Sequence, residues 1–128
     1  KKIAIFASGN GSNAENIIRY FQSRNLNAEV VLVVSNRTDA RVLQRAASFG
    51  VHSRVITREM LRDQKAVMSL MRQYEIDFIV LAGFLLMVPS FLVAHYNHRM
   101  LNIHPSLLPK FGGKGMYGDN VHKAVVAA

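Results

Sequence analysis

Five short apolar runs, rich in β-branched residues, alternate with helix-length segments along this chain. They cover residues 3–7, 29–34, 53–56, 78–82 and 100–103, and turn-forming residues bound each of them. Runs of this length and composition suit strands of a parallel sheet that are buried on both faces. Because the connections are short, right-handed strand–helix–strand crossovers are favoured. The pattern predicts an α/β fold: a Rossmann-like open sheet of mostly parallel strands with helices on both faces.

The segments between the runs have the apolar periodicity of amphipathic helices. One helix is predicted over residues 12–24 with Ser12 as its cap, a second follows Asp39 as its cap, and a third covers residues 58–74. A short fourth helix is expected to begin with Ser90 as its cap. A chain of 128 residues, half of them apolar, can bury one hydrophobic core. We therefore expect a single domain.

The chain is basic, with 16 Lys and Arg against 8 Asp and Glu and a formal net charge of +8. Such a charge attracts nucleic acid, anionic membranes or phosphorylated small molecules. The basic residues are scattered, and neither an RNA-binding signature nor zinc-finger spacing is present. A small anionic ligand is the favoured partner, and neither a nucleic-acid nor a membrane partner is expected.

Cysteine is absent, which excludes disulfides and thiolate metal sites and suits a reducing compartment. The most apolar later stretch, residues 78–88, is interrupted by Gly83 and is shorter than the roughly 20 residues that a membrane helix needs. We expect a soluble, cytoplasmic protein.

A glycine-rich turn follows the first predicted strand. This glycine turn (residues 8–13) reads Ser-Gly-Asn-Gly-Ser-Asn and leads into a helix, so its backbone N–H groups and the helix dipole can face an anion. It is either a phosphate cradle or an ordinary turn. Gly9, Gly11 and Ala14 also fit a relaxed dinucleotide fingerprint. The second strand lacks at its end the acidic residue that would bind the ribose of NAD. Arg37 could instead bind the 2′-phosphate of NADP, so an NADP-linked oxidoreductase remains an alternative.

An amide and an imidazole follow each other at the end of the fifth predicted strand. The strand period of two places Asn102 and His104 on one side and Ile103 on the other. An amide N–H can stabilise an oxyanion, and a histidine can move a proton as a tetrahedral centre forms and collapses. The pair suits acyl transfer, although a proline-bounded turn without catalysis has the same appearance.

An apolar loop (residues 83–89) follows the fourth predicted strand. Leu85, Leu86, Met87 and Val88 could wall a flat heterocycle at the ligand edge of the sheet, or could simply belong to the core.

Four segments, residues 8–13, 34–36, 80–84 and 101–110, resemble in order and spacing those of the phosphoribosylglycinamide formyltransferase family. The Asn-x-His-Pro part is shared with methionyl-tRNA formyltransferase and formyltetrahydrofolate deformylase, so it indicates only the superfamily. The glycine turn favours the phosphoribosylglycinamide formyltransferases over the other two enzymes.

The resemblance implies roles for particular residues. The phosphate of glycinamide ribonucleotide would be held by Asn10, Gly11, Ser12 and Asn13. The folate would contact Arg58 (or Arg62), Leu85, Leu86, Met87, Val88 and Asn102. Further substrate contacts would come from Gly83, Ile103, His104 and Pro105, and the catalytic groups would be Asn102 and His104.

The reaction implied is transfer of a formyl group from 10-formyltetrahydrofolate, a co-substrate, to the amine of glycinamide ribonucleotide in IMP biosynthesis, by direct attack and without a metal. The family continues for roughly a third more chain, including an Asp that orients the histidine. Residues 1–128 are therefore expected to be the N-terminal part of a single formyltransferase domain, with its C-terminal part absent. The alternatives are an NADP-linked oxidoreductase and a non-catalytic phosphometabolite-binding module.

Overall fold

The computed structural model describes residues 1–103 of the chain. Strands and helices alternate, as the sequence pattern predicts. The strands are β1 (Lys2–Phe6), β2 (Glu29–Ser35), β3 (His52–Val55), β4 (Phe78–Ala82) and β5 (Met100–Ile103). The helices are α1 (Ser12–Gln22), α2 (Arg41–Ser48), α3 (Arg58–Arg62), α4 (Gln64–Gln73) and α5 (Ser90–His95).

The five strands form one sheet in the order β3-β2-β1-β4-β5, and every neighbouring pair is parallel. β1 lies at the centre, and its residues from Ile3 to Phe6 are completely buried. The predicted fold class, a Rossmann-like α/β sheet, is confirmed.

Two hydrophobic clusters cover the two faces of the sheet, and β1 shows how the strand period divides them. Ile3 and Ile5 pack on the face covered by α1 and α2, whereas Ala4 and Phe6 pack on the face covered by α3, α4 and α5. Because both faces are buried, the central strands β1 and β4 are almost entirely apolar. The edge strand β3 differs, since His52 and Arg54 are exposed on it.

The predicted helix caps differ from those observed at three helices. Gly11, and not Ser12, is the cap of α1, and it has no side-chain capping bond. Asp39 does not cap α2, because its carboxylate pairs with Arg37 and the cap position falls to Ala40. Ser90 lies inside α5, after a cap at Pro89. The sequence therefore predicted the positions of these helices accurately, but not the residues that cap them.

The third predicted helix is two helices. Asp63 adopts an extended conformation between α3 and α4, and its Oδ1 accepts a hydrogen bond of 3.2 Å from the backbone N–H of Ala66. An aspartate that bonds a backbone N–H three residues ahead starts a new helix. Within residues 1–103, no helix is long and apolar enough to cross a membrane.

Candidate functional site

The strand order creates a crevice at the carboxyl ends of β1 and β4. From β1 the chain builds outward to β3 and then returns to the other side of β1 to form β4. In open parallel sheets, ligands bind where the strand order reverses in this way. The glycine turn follows β1 and the apolar loop follows β4, so the fold brings these two predicted segments to the same crevice.

The glycine turn is packed closely against α2. Gly11 has φ 80°, a left-handed conformation, and a Cβ built on it would lie 2.5 Å from Cβ of Val42. The backbone N–H of Val42 also donates a hydrogen bond of 3.2 Å to the carbonyl oxygen of Gly9. A side chain at position 11 would therefore push the turn away from α2.

The beginning of α1 offers backbone donors to a ligand. The first N–H groups of a helix have no acceptor inside the helix. Within residues 1–103, no side chain caps α1 at Gly11, and the first backbone bond of this turn runs from Glu15 N to Gly11 O at 2.8 Å. The N–H groups of Ser12 and Asn13 therefore precede the helical hydrogen-bond ladder, at the positive end of the helix dipole, where an anion is stabilised.

Ser8 joins the glycine turn to the apolar loop. This side chain is buried, and its Oγ accepts a hydrogen bond of 2.8 Å from the backbone N–H of Leu85. Its own backbone N–H donates to the carbonyl oxygen of Gly83 at 3.2 Å. Ser8 thus fixes the position of the glycine turn relative to the apolar loop.

The apolar loop forms one wall of a groove against α3. The groove has a volume of about 350 Å³, and its lining consists of apolar side chains and two guanidinium groups: Arg58, Leu61, Arg62, Leu85, Leu86, Met87, Val88 and Pro89. Leu85 is 76% exposed and Met87 is 90% exposed, so these two side chains are not part of the core. Leu86 and Val88 pack partly against it. We refer to this feature as the α3 groove.

Asn102 lies on β5, beside the end of β4. It is exposed and is in register with Leu81, which packs on the face that carries α3. The next residue, Ile103, is buried in the cluster of the opposite face, so only its backbone is placed to meet a ligand. His104 and Pro105, the other predicted residues of this segment, lie outside the described residues.

Arg45 is a residue of this site that the sequence did not indicate. Its guanidinium contacts Asn10 of the glycine turn through both the backbone and the side chain of that asparagine. The two residues are 35 positions apart, so no local pattern could have revealed the contact. Ser8 could have been noticed, because it is a polar residue at the end of an otherwise apolar buried run.

Arg37, the residue that supports the oxidoreductase alternative, is paired with Asp39. Its Nε and Nη2 donate to the two carboxylate oxygens of Asp39 at 3.2 and 3.1 Å, and this hydrogen-bonded pairing lowers the pKa of the Asp39 carboxyl. Within residues 1–103, no three His, Asp or Glu side chains lie close enough together to hold a metal ion.

Taken together, the strand order, the glycine turn and the α3 groove define a Rossmann-like α/β protein with a candidate ligand site where its strand order reverses. The formyl transferase family model matches residues 1–128. The chain belongs to the formyl transferase family, within the phosphoribosylglycinamide formyltransferases.

Relatives and solved structures support this membership. The chain is 40% identical to the chloroplastic phosphoribosylglycinamide formyltransferase of Arabidopsis thaliana, covering 98% of this chain and 45% of that protein. It is 34% identical to phosphoribosylglycinamide formyltransferase of Bacillus subtilis strain 168, covering 100% of this chain and 68% of that protein. The crystal structure of phosphoribosylglycinamide formyltransferase from Brucella melitensis superposes with a TM-score of 0.75 at 36% identity, covering 88% of this chain and 60% of that one. The chain thus spans less than half of the plant relative.

Proposed function

We propose that the protein containing this chain transfers the formyl group of 10-formyltetrahydrofolate to the amine of glycinamide ribonucleotide, a step of IMP biosynthesis. The observation that carries the proposal is the pairing of two features at the carboxyl ends of neighbouring strands. One is a turn with open backbone donors, and the other is a groove with apolar walls and two arginines. The enzyme names of the relatives favour this activity over a non-catalytic binding module and over an oxidoreductase.

The glycine turn is proposed to hold the ribonucleotide phosphate. The residues concerned are Asn10, Gly11, Ser12 and Asn13. The backbone N–H groups at the start of α1 would donate to phosphate oxygens, and the side chains of Ser12 and Asn13 would add donors. Binding the phosphate supplies energy remote from the reacting amine, which positions that amine for attack.

The α3 groove is proposed to hold the folate. Leu85, Leu86, Met87 and Val88 would cover the flat pterin, and the exposure of Leu85 and Met87 leaves apolar surface for this contact. Arg58 and Arg62 supply positive charge at the same groove, which suits the carboxylates of the folate tail.

Formyl transfer is proposed to occur beside Asn102. The amine nitrogen attacks the formyl carbon, a tetrahedral oxyanion forms, and the bond to folate N10 then breaks while the proton lost by the amine is transferred to N10. The Asn102 side-chain N–H would donate to the oxyanion. His104 would assist the proton transfer, and Gly83, Ile103 and Pro105 would border the substrate. The chain is proposed to be the N-terminal part of a single formyltransferase domain.

The test is a transfer assay with the full-length protein. Glycinamide ribonucleotide and 10-formyltetrahydrofolate should yield a product heavier by one carbonyl group, detected by mass spectrometry. The matched control is the riboside that lacks the phosphate, for which kcat/KM should fall about 100-fold because the charge-assisted bonds of the glycine turn are lost. Absence of the product, or equal kcat/KM for both substrates, would contradict the proposal.

A further inference from the structure

Arg45 on α2 makes two hydrogen bonds to the glycine turn and one to the helix that follows it. Its Nε donates to the backbone oxygen of Asn10 at 2.7 Å, and its Nη2 donates to Asn10 Oδ1 at 3.0 Å. Its Nη1 donates to Oε1 of Glu15, in the first turn of α1, at 2.9 Å. One half-buried guanidinium therefore joins the turn, the helix that follows it and the helix that supports it.

We propose that Arg45 is a positioning residue for the phosphate site, acting through Asn10 and not through contact with the substrate. This inference rests on the proposed function, since it assumes that the glycine turn binds the phosphate of glycinamide ribonucleotide. It identifies Arg45 as a residue outside the glycine turn that contributes to the affinity for that substrate.

The bond to Asn10 Oδ1 sets the orientation of the Asn10 amide. Asparagine has one acceptor oxygen and one donor NH2 on its side chain. Because Oδ1 accepts from Arg45, the NH2 group occupies the other branch, from which it would donate to a phosphate bound at the turn. Without Arg45, the amide could rotate and present its oxygen, which repels a phosphate. Arg45 thus favours the donor orientation.

The carboxylate of Glu15 compensates the positive charge of Arg45. Glu15 accepts from Arg45 at 2.9 Å and also lies 3.3 Å from Nη2 of Arg19. Glu15 therefore offsets the positive charge of Arg45, and it keeps its pair with Arg19 when Arg45 is replaced. The contribution of Arg45 to binding is therefore mainly one of orientation, and it should depend little on ionic strength.

The position of Arg45 is itself fixed by α2. Val42 lies one turn earlier on the same face of α2, where it packs against Gly11 and donates its backbone N–H to Gly9. The glycine turn is thus held from α2 at two places, by a backbone contact at Val42 and by the guanidinium at Arg45.

Steady-state kinetics of Arg45→Ala in the full-length enzyme test the proposal. We expect KM for glycinamide ribonucleotide to rise roughly tenfold, with kcat and KM for 10-formyltetrahydrofolate within about twofold of wild type. Arg45→Lys, which keeps the charge and can satisfy part of the acceptor set, should recover part of the loss. Arg72→Ala is the matched control, because Arg72 is an exposed arginine of α4 on the opposite face of the sheet, and it should change none of these values.

Two readouts separate positioning from other roles. The effect of Arg45→Ala should largely disappear with the phosphate-free riboside, and it should be similar at low and high salt. A loss that shrinks severalfold at high salt would indicate direct contact with the phosphate, and an equal loss in kcat and in both KM values would indicate a general structural role. Either result overturns the proposal.

Asn13→Ala distinguishes failure of this inference from failure of the proposed function. If Asn13→Ala raises KM for glycinamide ribonucleotide and Arg45→Ala does not, only the role of Arg45 is wrong. If wild type yields no formylated product from glycinamide ribonucleotide, the proposed function is wrong and the role of Arg45 falls with it.

Discussion

Gly11 adopts a left-handed backbone conformation and lies directly against Val42 of α2. Two separate costs therefore oppose a side chain at this position. A residue with a Cβ is strained at φ 80°, and the added carbon would lie 2.5 Å from two side-chain atoms of Val42. The turn geometry that leaves the backbone donors of Ser12 and Asn13 open depends on the absence of this one carbon.

We predict that Gly11→Ala lowers the free energy of unfolding by about 3 kcal/mol, from backbone strain and overpacking together. Chemical denaturation of the full-length protein measures this value. Gly9→Ala is the matched control, because a Cβ at Gly9 meets no atom within 4 Å, and it should remain within about 1 kcal/mol of wild type. Equal effects of the two substitutions would show that the contact with α2 does not matter.

Among single residues, the sequence indicated those whose role depends on their neighbours in the chain. The glycine turn is recognisable because glycines before a helix have a known chemistry, and the family resemblance implies that Asn10, Gly11, Ser12 and Asn13 hold the phosphate. No such signal indicates Arg45, because its contact with Asn10 follows from the packing of α2 against the turn. The roles of the turn residues remain predictions.

Among the elements, strands were predicted more accurately than helix ends. Burial on both faces makes the central strands β1 and β4 nearly continuous apolar runs, which are visible in the sequence. Helix caps depend on competition between partners: Asp39 pairs with Arg37 rather than with the start of α2, and Asp63 interrupts a continuous apolar periodicity to begin α4. Periodicity alone cannot indicate which of two acceptable partners a short polar side chain takes.

The apolar loop is fastened to the glycine turn by Ser8, and this link should matter for the folate. We predict that Ser8→Ala leaves the Leu85 N–H without its acceptor, costs about 1 kcal/mol of stability and raises KM for 10-formyltetrahydrofolate roughly threefold, since the loop becomes less ordered. Thermal unfolding and steady-state kinetics measure the two effects.

Ser23→Ala is the control for this substitution. Ser23 follows α1, away from the crevice, and its hydroxyl donates to the carbonyl oxygen of Tyr20. It should lower stability slightly and leave KM for the folate unchanged. If Ser8→Ala behaves in the same way, the link between the two segments has no role in binding.

For the molecule as a whole, strand order determines where chemistry can occur. The return of the chain from β3 to β4 brings two loops to the carboxyl ends of neighbouring strands, where Ser8 and Leu85, 77 positions apart, meet. The alternation of strands and helices predicted the parallel sheet. It could not show that the α3 groove brings Arg58 and Arg62 against the apolar loop, since that depends on how α3 packs on the sheet.

A crystal structure of the full-length protein with glycinamide ribonucleotide and a folate inhibitor would show where the phosphate and the pterin bind. We predict phosphate oxygens about 2.7–3.2 Å from the backbone nitrogens of Ser12 and Asn13, and the pterin ring against residues 85–88 in the α3 groove. We also expect Asn10 to keep its side-chain oxygen on Arg45 when the phosphate is bound. A phosphate bound away from the glycine turn, or a folate outside the α3 groove, would contradict the proposed function of these two segments.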